Sequence, residues 1–235
     1  MVKAHPYGHR IEVMGVCTGC HDPHSVTKAA PVWGASGVEP VYGPMTTYTL
    51  LTHVVNDYQL CFKCHSGAAV PMVGTKNVAE EVNPANQSYL AIMAAGRRTD
   101  MPAGSFVAPW TQTSRLKCGD CHGRDAAAQQ QLRHGSANAY LLKKPYAGLP
   151  PSNSNLLCYS CHTMAFYGPG AASVGAYSWS RANSGNSHRV HSNAGTNCVT
   201  CHDMHGSATR PGMIKPDMNM TGNAPGPFLC TTGCH

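Results

Sequence analysis

Apolar and polar positions along the chain alternate too weakly to predict any extended, half-buried strand. Helical patterning is confined to short stretches: Tyr48–His65, Gln87–Arg98, Ala126–Arg133, Ala139–Lys143 and Leu156–His162. The best local helix former among them is Ala126–Ala128 followed by Gln129–Gln131. Between these lie segments rich in Gly, Pro, Ser and Asn, namely Ala30–Pro44, Gly168–Asn186 and Pro211–Pro227, which read as loops. No apolar run approaches the length of a membrane span. The pattern predicts a mostly irregular, loop-built fold with few short α-helices, spread over residues 1–235 as a single domain.

Composition sharpens this picture. Hydrophobic residues make up 42%, yet Phe is only 4 and Trp only 3, while Gly is 24 and Pro is 17. Ala, Val, Cys and Met carry much of the apolar content, so a core of ordinary side chains is thin. A chain this rich in loops needs something else to pack against, and large apolar cofactors supply it.

The cysteines identify the cofactor. All 12 fall in pairs, and five pairs read Cys-x-x-Cys-His. These are Cys17 and Cys20 with His21, Cys61 and Cys64 with His65, Cys118 and Cys121 with His122, Cys158 and Cys161 with His162, and Cys198 and Cys201 with His202. The sixth unit, Cys230 and Cys234 with His235, has one more residue between its cysteines. Cys-x-x-Cys-His marks covalent attachment of c-type haem: the thiols form thioethers with the vinyl groups and the His lies under the iron as proximal ligand. A thioredoxin-like pair would occur once, zinc sites need no His after each pair, and a disulfide across two residues is strained. Six c-type haems are therefore expected. The motifs begin at 17, 61, 118, 158, 198 and 230, a loose repeat without a solenoid period.

Of the 14 His, six are proximal and eight remain: His5, His9, His24, His53, His134, His188, His191 and His205. That supply suffices for a second imidazole on every iron. His24 and His205 follow a proximal His by three residues, in the sequences CHDPH and CHDMH. Three residues cannot wrap round a ring fixed to the same segment, so each is expected to bind a neighbouring haem's iron. His9 and His53 each precede a motif by eight residues, and His134 stands alone between the third and fourth motifs. The distal set is thus read as His9, His24, His53, His134, His191 and His205, with His5 and His188 in reserve. The choices between His5 and His9, and between His188 and His191, stay open. Met164 and Met204 lie near motifs but are read, like most Met here, as soft packing against the rings. Bis-imidazole ligation leaves no open iron position, so no catalytic residue is assigned and the chain is not expected to be an enzyme. The haem of the Cys230/Cys234 unit is the one candidate for an open site.

The formal charge is +6 with a pI of about 8.7, which alone would suggest an anionic partner. The Lys and Arg residues are scattered, adjacent only at Arg97–Arg98 and Lys143–Lys144. Haem propionates would offset the excess, making the basic residues propionate partners rather than a nucleic-acid surface. No signal peptide is visible at Met1, although haem attachment outside the cytoplasm requires one. Asn86 and Asn219 open glycosylation sequons that carry little weight.

With its six attachment units, its surplus of His and its CHxxH segments at His21–His24 and His202–His205, the chain resembles the multihaem c-type cytochromes. More narrowly it is similar to the hexahaem extracellular cytochromes that polymerise into conductive filaments. That resemblance implies a polypeptide wrapped around a chain of six stacked haems, conducting electrons in an extracellular or cell-surface homopolymer. His235 is the last residue, and His5 and His9 lie near the start. A head-to-tail contact, with His5 or His9 on the next subunit's terminal haem, would grow without closing. Redox proteins or extracellular acceptors are the other expected partners. A soluble periplasmic electron shuttle is the alternative, and a multihaem reductase with one open iron the less favoured one.

Overall fold

The computed structural model describes residues 7–8, 17–27, 32–69, 76–98, 101, 103–123, 135–171, 187–218, 220–221 and 229–230. The chain falls into two compact units. One comprises Met1–Pro84 and Leu116–Lys143, the other Ala85–Arg115 and Lys144–His235. Each therefore holds three of the cysteine motifs. As the sequence pattern anticipated, the described residues are mostly loop with a few short helices.

The first unit is organised by a hairpin. Strand β1 (Gly37–Val41) pairs antiparallel with β2 (Thr47–Leu51), with Val38 opposite Leu50 and Pro40 opposite Tyr48. Val38 on β1 is buried while its cross-strand partner Leu50 is exposed, so β1 lies against the unit's small core and β2 faces outward. Glu39 of β1 then fixes the next element. Its carboxylate accepts hydrogen bonds from Tyr58 Oη at 3.1 Å and Gln59 Nε2 at 2.6 Å, both in helix α1 (Asp57–Cys61). Gln59 Oε1 in turn accepts the Val55 and Asn56 N–H groups, satisfying donors that the start of the helix leaves open. Helix α1 thereby delivers Cys61 to a set position, with Phe62 buried just beyond it. Helix α2 (Val78–Glu81) is held through its Ala79 carbonyl, which accepts from Tyr42 Oη at 2.6 Å. Helix α3 (Cys118–Cys121) packs on α1 and opens with Asp120 accepting the Lys117 N–H at 2.7 Å. Residues Tyr7–Gly8 pair antiparallel with Gly135–Ser136.

In the second unit, Ser88–Tyr89 pairs with Gly206–Ser207. A 3-10 turn at Leu157–Ser160 follows the fully buried Leu156, and Tyr159 Oη donates to the Pro151 carbonyl at 2.7 Å. Helix α4 (Met164–Tyr167) packs on α5 (Ser187–Asn193). Helix α6 (Cys198–Cys201) begins at Asn197, whose side chain accepts the Val199 N–H and donates to the Leu149 carbonyl. Met220–Thr221 pairs with Leu229–Cys230. Among the described residues no helix is long and apolar enough to cross a membrane.

Ser88 illustrates how the second unit is held together internally. Its buried hydroxyl donates to the Arg210 carbonyl at 2.6 Å and accepts the Met213 N–H at 2.7 Å. Ser88→Ala leaves both backbone groups without that partner and is expected to cost about 1–3 kcal/mol. Denaturant unfolding of the haem-loaded protein measures it; a midpoint equal to that of the parent would refute the bridge.

Several helix expectations are corrected. Tyr48–His65 is helical only at Asp57–Cys61, because Tyr48 belongs to β2. Gln87–Arg98 is not helical: Ser88 and Tyr89 are a strand, and turns follow. Ala139–Lys143 and Leu156–His162 reduce to 3-10 turns at Ala139–Leu141 and Leu157–Ser160. The loop expected at Ala30–Pro44 contains β1. Ala126–Arg133 lies outside the described residues, as does most of Gly168–Asn186.

Candidate haem-attachment sites

The five regular motifs share one turn. In each, the N–H of the His donates to the carbonyl of the first Cys: His21 to Cys17, His65 to Cys61, His122 to Cys118 and His162 to Cys158 at 2.9 Å, and His202 to Cys198 at 3.0 Å. Residues i, i+3 and i+4 of a helical turn share a face. The spacing Cys-x-x-Cys-His therefore sets two sulfurs and an imidazole on one side of a single turn. None of the ten described cysteine side chains forms a disulfide. Burial pushes the Cys20 and Cys121 thiols up. In a loaded protein these sulfurs are thioethers.

Within the first unit, adjacent motifs touch. Lys63, inside the second motif, donates to the Gly19 carbonyl inside the first at 2.8 Å and to Ser36 Oγ at 2.9 Å. The Cys118 thiol hydrogen-bonds the Cys61 thiol, and that contact, with burial, pushes the Cys118 thiol up. The spatial order of motifs in this unit follows their chain order. His24 and His53 both lie close to the first motif. Asp22 Oδ1 accepts the His24 N–H at 3.0 Å, and Asp22 Oδ2 accepts the Ser25 hydroxyl at 2.6 Å. The Ser25 hydrogen bond leads in holding the Asp22 carboxyl below its usual range, with smaller help from His24 and His53. His53 Nδ1 lies 3.3 Å from the Gly34 carbonyl, which leaves its Nε2 for a metal. Gly34 has a φ of +81°, and a Cβ there would sit 2.6 Å from both Asp22 Oδ2 and Ser25 Cβ. Only glycine allows this approach.

In the second unit, the first cysteines of the fourth and fifth motifs meet in the same way: a hydrogen bond from Cys158 draws the Cys198 thiol down. A row of rings runs beside them. Tyr167 lies edge-on to His162 at 5.1 Å and to His188 at 5.2 Å, and the His188 ring lies 6.1 Å from that of His202 with planes 6° apart. Burial pulls the His162 and His188 pKa values down to about 4, with minor contributions from neighbouring His, and lowers that of His202. All three are thus neutral imidazoles at ordinary pH, the form that binds iron. Asp203 repeats the role of Asp22, with Oδ1 accepting the His205 N–H at 3.3 Å.

One device escaped sequence reasoning altogether. The His122 Nδ1–H donates to the Tyr140 carbonyl at 2.9 Å, and the His202 Nδ1–H to the Gly212 carbonyl at 2.9 Å. Both acceptors sit in a 3-10 turn with left-handed backbone: Tyr140 and Leu141 have φ of 59° and 58°, Gly212 and Met213 of 65° and 55°. Matching bonds close both loops: Gly123 N–H to Leu141 and Asp203 N–H to Met213, then Lys143 N–H to Cys121 and Lys215 N–H to Cys201. Leu142 and Ile214 are buried at equivalent places. The signal was in the sequence, since His134-Gly-Ser-Ala and His205-Gly-Ser-Ala open the two segments and Lys143 and Lys215 end them. Each loop fixes the tautomer of a proximal His and aims Nε2 away, toward the face where its motif's sulfurs would hold a ring. The donor set therefore fits haem: paired thiols, a neutral imidazole one residue on, and a carbonyl behind it. His162 differs. Its Nδ1 is buried without a hydrogen-bond partner among the described residues, and Phe106 packs 5.2 Å from its ring.

His5, His9, His134, Cys234 and His235 lie outside the described residues, and Cys230 is described by backbone only. Against known families, residues 191–235 match the model of the doubled CXXCH motif. No curated protein and no solved structure gives a match. The matched segment carries a c-type haem-binding motif, which supports a role in electron transfer through haem c.

Proposed function

We propose that the chain binds six c-type haems, one on each motif, and serves long-range electron transfer as the subunit of an extracellular conductive filament. The observation that carries the multihaem reading is the common Cys-x-x-Cys-His turn, formed identically in all five regular motifs. The thiol contacts Cys61–Cys118 and Cys158–Cys198 support close spacing of neighbouring rings within each unit. Bound haem supplies a one-electron couple at its iron. The polypeptide's part is to tether each ring by two sulfurs, to present neutral imidazoles, and to exclude water around them. The distal ligands on this reading come from His9, His24, His53, His134, His205 and one of His188 and His191, with His5 or His9 reaching a neighbouring subunit. The whole chain acts as one carrier, without a catalytic residue.

Electron microscopy of the native protein, with its visible spectrum recorded to establish haem loading, tests this. Long uniform filaments are the expected result. Dispersed particles of about the chain's own mass, fully loaded, would overturn the filament and leave the periplasmic shuttle. A chain without haem would overturn the reading altogether.

A further inference from the structure

We propose that His188 and His202 are the two axial ligands of a single iron, that of the haem on Cys198 and Cys201, and that His191 does not bind it. The proposal rests on the multihaem reading above and deepens it at one site.

Sequence leaves His188 and His191 equivalent: they stand three residues apart on one face of α5. The fold separates them. The His188 and His202 ring centres lie 6.1 Å apart, with planes only 6° apart. Two metal–imidazole bonds of about 2 Å, with about 1.1 Å from each nitrogen to its ring centre, place axial rings about 6.2 Å apart. The observed 6.1 Å matches that separation. His202 has Nδ1 committed to the Gly212 carbonyl at 2.9 Å, so Nε2 is its ligand atom. His188 is held in place by Tyr167, whose ring meets it edge-on at 5.2 Å and 90°. Tyr167 is held in turn by His162 on its other side and by Phe166 at 4.8 Å. Helix α5 is pinned against the segment after α4, where the Gly170 N–H donates to Asn193 Oδ1 at 3.0 Å. A ligand set this way needs no rearrangement of α5 to reach the metal.

The test uses the haem-loaded, full-length protein and the variants His188→Ala and His191→Ala, read by electron paramagnetic resonance and by mass. His188→Ala is expected to keep every haem, since thioethers do not depend on it, and to convert one haem per chain from low-spin to high-spin ferric. Added imidazole should restore the low-spin state. His191→Ala should leave the spectrum unchanged. Loss of the low-spin signal in His191→Ala, or its full retention in His188→Ala, would overturn the assignment while leaving the multihaem reading intact. If His188→Ala does not accumulate, His188→Met decides: one haem with a methionine–iron charge-transfer band and a raised potential supports the pair, and an unaltered spectrum refutes it. Absence of haem from the parent protein would instead sink the proposed function itself.

Discussion

Produced in a host that cannot attach haem, the chain is expected to be unfolded: a random-coil far-ultraviolet spectrum and no cooperative thermal transition. The loaded protein should melt cooperatively. The reason lies in the elements. The described helices run from four to seven residues, whereas isolated helices shorter than about 12–15 residues are marginal in water. Apart from the β1–β2 hairpin, the described strands are two residues long, and a lone two-stranded hairpin is at best marginally stable. The buried aliphatic and aromatic side chains, such as Val38, Phe62, Val82, Leu156 and Ile214, form small clusters within each unit. Conformational entropy opposes ordering every loop between them, at about 1–2 kcal/mol per residue. Cofactor binding then becomes folding free energy, as in small metal-dependent domains. Circular dichroism of the haem-free chain decides it, and a cooperative melt there would mean that the polypeptide's own packing suffices.

What the sequence made legible follows from spacing. Cys-x-x-Cys-His fits one helical turn, so the turn geometry at five motifs could be read without a structure. The overall loop character followed from Gly, Pro and the scarcity of Phe and Trp. Other features were hidden for identifiable reasons. In the hairpin β1–β2 burial follows the strand rather than the face, with β1 largely buried and β2 largely exposed, so neither strand shows clean alternation. The stretch Gln87–Arg98 has helical composition, but Ser88 forms its hydrogen bonds with Arg210 and Met213, far along the chain. Such long-range bonds override local propensity. The proposed preference for His188 over His191 rests on a tertiary contact, the ring pair His188–His202, that periodicity cannot resolve.

The paired left-handed turns raise a broader point. Tyr140, Leu141 and Met213 hold positive φ without being glycine, a conformation costing about 1–2 kcal/mol each. That strain recurs at equivalent places behind His122 and His202, where the carbonyl it turns inward meets Nδ1. Strain repeated in this way is consistent with a constraint placed by the site rather than by packing. Asp22 and Asp203 form a second repeated device, each capturing the N–H of the His two residues on.

The haem on Cys158 and Cys161 is expected to have a higher reduction potential than those on Cys118/Cys121 and Cys198/Cys201. Donation from Nδ1–H to a carbonyl makes an imidazole a stronger base toward iron and favours the ferric state, lowering the potential. His122 and His202 have that carbonyl. His162 does not: the matching bonds recur there, from the Val107 N–H to Cys161 and from the Thr163 N–H to Ser105, but the Gly104 carbonyl at the equivalent place accepts the Thr163 hydroxyl instead of an imidazole N–H. Phe106, at the place of Leu142 and Ile214, packs its ring 5.2 Å from that of His162. A hydrogen bond worth about 1 kcal/mol of preference for one oxidation state corresponds to about 40 mV for a one-electron couple. Burial lowers the pKa of both His162 and His202, so it does not account for a difference between those two sites. Spectroelectrochemical titration, with each haem assigned through a variant at its own motif, measures the order. Equal or lower potential at Cys158/Cys161 would mean that the carbonyl behind the imidazole is not what sets potential here, and that differences in ligand pairing or solvent access outweigh it.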